Sequence, residues 1–233
     1  MFDADAFALR CQAAATAADP IDAVQAVVAE AVRDGASIDA RLGTEIRRDG
    51  DMLFASEHLT VLRILWPAGI WAQPHDHRMW AVIGVYSGEE FNRFFERAAD
   101  GLTEVDARIV GAGEVLALGA EVIHAVDNSH CALTGGLHVY GGDLSKVQRS
   151  AWGPDGLEGP FAENAAAQAA IFQAVRDVAH EHGITLDDAA RYRLFRMLEA
   201  ACVRERRYPT AVETRRMIDE AMNPVSRVPP ATG

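Results

Sequence analysis

Residues 74–90 read PHDHRMWAVIGVYSGEE, two histidines one residue apart at the head of an apolar run that stops at Ser87-Gly88. In an extended chain, alternate side chains share a face, so His75 and His77 point the same way, roughly 7 Å apart along the strand. Met79, Ala81 and Ile83 continue that face and Arg78, Trp80 and Val82 the other, so the face behind the histidines is apolar. Such a pair is either two solvated surface histidines or two thirds of a metal claw closing at about 2.1 Å per imidazole.

Outward from this stretch, the β-type pattern extends from about Leu53 to Tyr140 as short runs: HLTVLRILW, MWAVIGVYSG, EFNRFFER, LTEVDARIV, EVLALG, EVIHAVDN and ALTGGLHVY. Turn clusters at Pro67-Ala68-Gly69, Ser87-Gly88, Ala99-Asp100-Gly101, Gly111-Ala112-Gly113 and Asp127-Asn128-Ser129 separate them. Seven or eight short strands without intervening helices indicate a mainly β sandwich or small barrel. Gly101 and Gly113 mark turns that need positive φ.

Helical spacing flanks the strands. Ile21, Val24, Val27, Val28 and Val32 share one face behind an Asp19-Pro20 start, and further helices are predicted at 161–182, 186–204 and 209–222. The expected layout is N-terminal helices over 1–45, a β-barrel over 46–158, a helical segment over 159–224 and a disordered tail, 225–233, with the proline-rich end VSRVPPATG.

The 233 residues carry 22 Lys and Arg against 34 Asp and Glu, a formal charge of −12, which disfavours nucleic acid and anionic membranes as partners. No apolar run approaches the ~18 residues of a membrane span. Cys11, Cys131 and Cys202 are odd in number and far apart, without CxxC spacing, which fits a reducing compartment and a cytoplasmic location.

The spacings around the histidines resemble the two sequence motifs of cupins. Gly69, His75, His77 and Gly88 match the first, and Gly113, His124 and Asn128 the second, over about ninety residues. The resemblance implies a double-stranded β-helix with helical extensions at both ends and a metal held by His75, His77 and His124. The motif's glutamate falls on Ala81, and its second-motif proline and glycine on Gly119 and Glu121.

Three histidines without a carboxylate are the ligand set of the cupin thiol dioxygenases. That family has a tryptophan nine residues before the first ligand, here Trp66, and a Ser-x-His-x-Tyr stretch, here Gly136-Leu-His138-Val-Tyr140. The chain more sharply resembles a bacterial group of cysteine dioxygenase-like metal-dependent proteins, through HDHRMWAVIGVY at 75–86, HVYGGD at 138–143 and RSAW at 149–152.

The resemblance implies Fe(II), a small thiol and O2 as substrates, and a sulfinic acid as product. Tyr140 and His138 become the candidate catalytic pair, with the missing serine leaving His138 in need of another partner to fix its tautomer. It also implies an arginine for the substrate carboxylate, with Arg48 or Arg47 in the comparable stretch and Arg63 on the outward side of its strand. Trp66, Leu62 and Ile64 are expected to face the interior, Trp66 as substrate contact or core, and Met79 as pocket wall or core. The alternatives are a three-histidine dioxygenase that cleaves carbon–carbon bonds, or a non-catalytic metal-dependent binding protein whose helices serve partner or homodimer contacts.

Overall fold

The computed structural model describes residues 1–46 and 50–222. The N-terminal helices are α1 (Ala4–Ala14), α2 (Pro20–Ala31) and α3 (Gly35–Leu42), the last entered through a 3-10 turn at Val32–Asp34. The strands follow as β1 (Asp51–Ala55), β2 (Thr60–Trp66), β3 (Trp71–Asp76), β4 (Ala81–Ser87), β5 (Glu89–Ala98), β6 (Gly101–Gly111), β7 (Val115–Leu118), β8 (Ile123–Asp127), β9 (Thr134–Tyr140), β10 (Ser150–Trp152) and β11 (Glu158–Pro160). Helices α4 (Phe161–Glu181), α5 (Asp188–Glu205) and α6 (Ala211–Met222) complete the described chain.

Two antiparallel sheets face each other, one in the order β1-β2-β9-β4-β7 and the other β11-β10-β3-β8-β5-β6. The inner orders 2-9-4-7 and 3-8-5-6 are the two interlocked Greek keys of a jelly roll, so the expected double-stranded β-helix with helical extensions is the fold. Positive φ at Gly101 (129°) and Gly113 (88°) closes the two turns where it was predicted.

Each layer has its own apolar contact set. Between the sheets lie Leu62, Met79, Ala81, Ile83, Val85, Leu116, Leu118 and Tyr140, so the predicted inward alternation through Met79, Ala81 and Ile83 holds. On the outer face of the first sheet, Val24, Val28 and Val32 pack on Val61, Val82 and Val139, with Ile21 and Val27 at the margin. The Asp19 side chain caps α2 by accepting from Asp22 N, and Pro20 occupies the first turn. On the outer face of the second sheet, Trp71 packs against Ile171, Val175, Leu194, Phe195 and Leu198. Each such side chain contributes about 1.5–3 kcal/mol when fully buried, which makes both helical layers integral to the barrel.

The histidine run departs from a single strand. β3 ends at Asp76 in the six-stranded sheet and β4 starts at Ala81 in the five-stranded one, so residues 77–80 cross from sheet to sheet. Arg78 takes a left-handed φ of 56° at the corner. Its guanidinium is tied there to Asp76 (2.8 Å) and to Ser150 Oγ (3.0 Å), which offsets the conformational cost. Helix α3, absent from the sequence reading, has one buried apolar residue, Ile38, and so no stripe to detect; its start is capped by Asp34, which accepts from Ser37 N. Arg47, Arg48 and the expected disordered tail lie outside the described residues.

Candidate metal centre

β3 and β8 pair antiparallel with His75 opposite His124, and the corner after Asp76 turns His77 back toward them. The ring centroids of His75 and His77 are 5.0 Å apart, those of His75 and His124 4.7 Å, and those of His77 and His124 5.0 Å. All three residues are buried, and one ring nitrogen from each lies within 4.8 Å of the others, so the three can hold a metal ion.

The outer ring nitrogens fix the tautomers. His75 Nδ1 donates to Gln73 O at 2.7 Å, and His124 Nδ1 donates to Asn92 Oδ1 at 2.9 Å. This leaves the His124 Nε2 lone pair buried and without a hydrogen-bond partner. A buried polar atom without a partner is costly unless something binds it, and orientation of a ligand imidazole through its other nitrogen is how metal-binding histidines are held. The residues therefore fit a resident metal.

Burial pushes His75 down to about 4, with the Arg149 and His138 charges acting in the same direction. Burial, aided by neighbouring imidazoles, holds His77 and His124 well below the usual histidine range. All three are thus neutral near pH 7, the form that coordinates metal.

In the unfolded chain a histidine titrates near 6.5, so between about 4 and 6.5 the unfolded state binds more protons than the folded one. The stability of the metal-free protein is therefore full above about pH 6.5 and lost as pH falls, His75 alone accounting for about 2 kcal/mol at pH 5. Denaturant titration of metal-free protein at pH 7.5 and pH 5.0 checks this, and equal stabilities contradict it.

Beside the histidines, the Tyr140 ring lies 5.0 Å from that of His77, and burial raises its hydroxyl above the ordinary range, so it stays protonated. His138 Nδ1 and the Tyr140 hydroxyl share a hydrogen bond of 3.2 Å. With His138 Nε2 facing an acid, its Nδ1 is the acceptor and Tyr140 the donor.

That acid is Glu90, which the sequence reading did not include. It is fully buried, with Oε1 3.5 Å from His138 Nε2 and accepting from Trp66 Nε1 at 2.8 Å. A Cβ added at Gly136 would come within 2.8 Å of His138 Nε2 and 3.1 Å of Glu90 Oε1. A side chain at 136 is therefore crowded by both His138 and Glu90 as placed, and the group that faces His138 Nε2 here is the Glu90 carboxyl. Period-two alternation in β5 was the available signal, because it places Glu90, Asn92 and Phe94 on one face.

The remaining sequence candidates divide. Leu62 and Ile64 face the interior as expected, and Met79 packs there with Tyr140. Trp66 spends its indole N–H on Glu90. Arg63 is outward, as read, yet fully covered by the N-terminal segment, pairing with Asp51 and Gly43 O. Two further residues beside the site escaped sequence reading: Asp76, whose Oδ1 accepts from Ser150 N at 2.9 Å and whose Oδ2 pairs with Arg78, and Arg149, whose guanidinium lies 3.7 Å over the ring of Phe161, which packs against His75. No helix among the described residues is long and apolar enough to cross a membrane.

No protein-family profile matches the chain. Among solved structures, it is similar to an RmlC-like cupin with a double-stranded β-helix fold from Methanocaldococcus jannaschii, at 16% identity over 44% of this chain and 91% of that one, TM-score 0.35. It is also similar to the DMSP lyase DddQ from Ruegeria pomeroyi, at 22% identity over 41% of this chain and 44% of that one, TM-score 0.33. A cupin 2 conserved barrel domain protein from Leptotrichia buccalis matches at 24% identity over 39% of each chain, TM-score 0.33. The matched region spans less than half the length of the latter two proteins.

Proposed function

We propose that this protein is a non-haem Fe(II)-dependent dioxygenase that oxidises a small thiol to its sulfinic acid. The observation that carries the reading is a buried cluster of three neutral histidines, with Ala81 where a carboxylate ligand would stand and a protonated tyrosine against it. Three uncharged ligands would leave a bound metal its full positive charge, which would favour an anionic thiolate as substrate. Fe(II) there supplies the redox chemistry by which both atoms of O2 are added to sulfur, RSH + O2 giving RSO2H.

The chain's own residues perform the rest. His75 and His124 are held in one tautomer by Gln73 O and Asn92, so their Nε2 atoms are ready before anything binds. Tyr140 keeps its proton at Oη and presents it at the cluster's edge, and His138, with Glu90 behind it, sets the direction in which that hydroxyl points. Met79, Ile83 and Leu62 exclude water from the wall behind the ligands. Three unpaired cysteines accord with a reducing, cytoplasmic setting, where small thiols are the available substrates.

The test is metal analysis followed by oxygen uptake with cysteine, 3-mercaptopropionate and cysteamine. About one iron per chain and uptake of one O2 per sulfinic acid formed is the expected result. Bound iron with no oxygen uptake from any thiol overturns the reading in favour of a non-catalytic binding protein.

A further inference from the structure

β3 reaches the metal cluster by a detour. Ala72 lies opposite Val126 and His75 opposite His124, so β3 takes three steps where β8 takes two, and the extra residue falls at Gln73-Pro74. Residues three apart in a regular strand face opposite sides, so this bulge is what lets Ala72 and His75 both stand on the inner face. At the bulge the Gln73 carbonyl accepts from His75 Nδ1 at 2.7 Å, and Pro74 has no N–H with which to rejoin the ladder. Both the face and the ring orientation of His75 therefore depend on a local distortion of β3.

A helix, rather than a strand, supports the chain just before that distortion. β10 pairs with β3 at Ala151 opposite His75, and the chain then turns away, Gly153 N donating to Leu157 O. Ile70 O accepts from Asn128 N on the β8 side, so the next carbonyl, Trp71 O, points to the side that β10 leaves open. Gln168 of α4 fills that place: it is buried, and its Nε2 donates to Trp71 O at 2.8 Å across 97 residues of chain. The Trp71 indole is held on the outer face by Phe172 of α4, edge-on at 5.0 Å, and by Phe195 of α5 at 6.5 Å. The Gln73 side chain interacts with the Tyr208 hydroxyl, between α5 and α6. The C-terminal helices thus grip β3 by ring, backbone and side chain where the bulge begins.

We propose that Gln168 is a positioning residue for the metal ligand His75: from α4 it stands in for a neighbouring strand along β3 and holds in register the bulge that aims the imidazole inward. Without its amide the Trp71 carbonyl loses its donor, and the segment is freed to slide. A slip of one residue is enough to turn His75 to the outer face. The C-terminal helical layer therefore sets metal affinity from outside the barrel, through a hydrogen bond made four positions before the ligand. The inference rests on the metal centre and not on the thiol chemistry proposed for it.

Co(II) binding by the full chain, measured by chelator competition, tests this. The wild-type protein is expected to bind about one Co(II) per chain. Gln168→Met keeps the bulk and loses the donor, and it should bind Co(II) about 10- to 100-fold more weakly, with a shifted visible spectrum at saturation. Ile218→Ala, at a fully buried position of α6, is the control. It lowers the denaturant midpoint of the metal-free protein yet binds Co(II) within about threefold of wild type, because lost stability does not change the affinity of chains that remain folded. Wild-type affinity and spectrum in Gln168→Met overturn the proposal, and so does an equal loss of affinity in Ile218→Ala. Should Gln168→Met not fold, Gln168→Asn, whose amide stops one methylene short of Trp71 O, replaces it and is read in the same way. Weaker Co(II) binding by the Gln168 variant, in a protein whose iron-loaded wild type oxidises no thiol, upholds this inference and overturns only the dioxygenase reading.

Discussion

The His77→Ala protein is expected to fold and to hold almost no metal. His77 makes no hydrogen bond among the described residues, unlike His75 and His124, whose Nδ1 atoms are engaged. Its removal therefore leaves no partner stranded, and the metal-free variant should melt close to the metal-free wild type. The metal, by contrast, loses one of three ligands in a cluster that has no carboxylate to substitute, since Ala81 stands at that position. Loss of a residue that merely orients a ligand lowers affinity about 10- to 100-fold, so loss of a ligand itself should exceed about 100-fold. Metal per chain after dialysis should fall from about one to under about a tenth, and stoichiometric retention would sink the assignment of the cluster as the metal site.

The barrel, the triad and the His138–Tyr140 pair were legible because they depend on spacing within single strands or on short motifs. Alternation through Met79, Ala81 and Ile83 gave the inner face directly, and Val24 and Val28, with Val32 just beyond its end, gave the face of α2. What could not be seen depends on residues far apart in the chain. The corner at residues 77–80 arises because Arg78 finds Asp76 and Ser150, and Ser150 is 72 residues away. The position of Arg149 follows from the β3–β10 pairing, which leaves no local pattern. Glu90 was half-visible: it opened a run read as a strand, but a charged residue beside a turn is ordinarily solvated, and only Trp66 and His138, brought by β2 and β9, make it interior.

Glu90 yields the second large effect, and its neighbour Gly136 makes the test specific. Glu90→Ala strands the half-buried indole N–H of Trp66 and leaves a void, at an expected cost of about 2–4 kcal/mol in denaturant titration. Glu90→Gln keeps an oxygen for Trp66 and should cost about 1 kcal/mol, yet it removes the carboxylate facing His138. If that carboxylate sets the tautomer through which His138 directs the Tyr140 hydroxyl, Glu90→Gln lowers kcat by about 10- to 100-fold or more, with metal content unchanged and KM little affected.

A purely structural role predicts the same loss of stability in the alanine variant but turnover kept in the glutamine one. Gly136→Ser alone should be destabilised and inactive, because its Cβ has no room between His138 and Glu90. Combined with Glu90→Ala, the same serine is relieved of the 3.1 Å contact with Glu90, and a small shift of the His138 ring from the 2.8 Å one lets its hydroxyl face the imidazole in place of the carboxyl. The double variant is therefore expected to turn over faster than either single variant, a coupling of sign that independent sites do not show. Additive losses would mean that Glu90 and a serine at 136 are not interchangeable supports for His138.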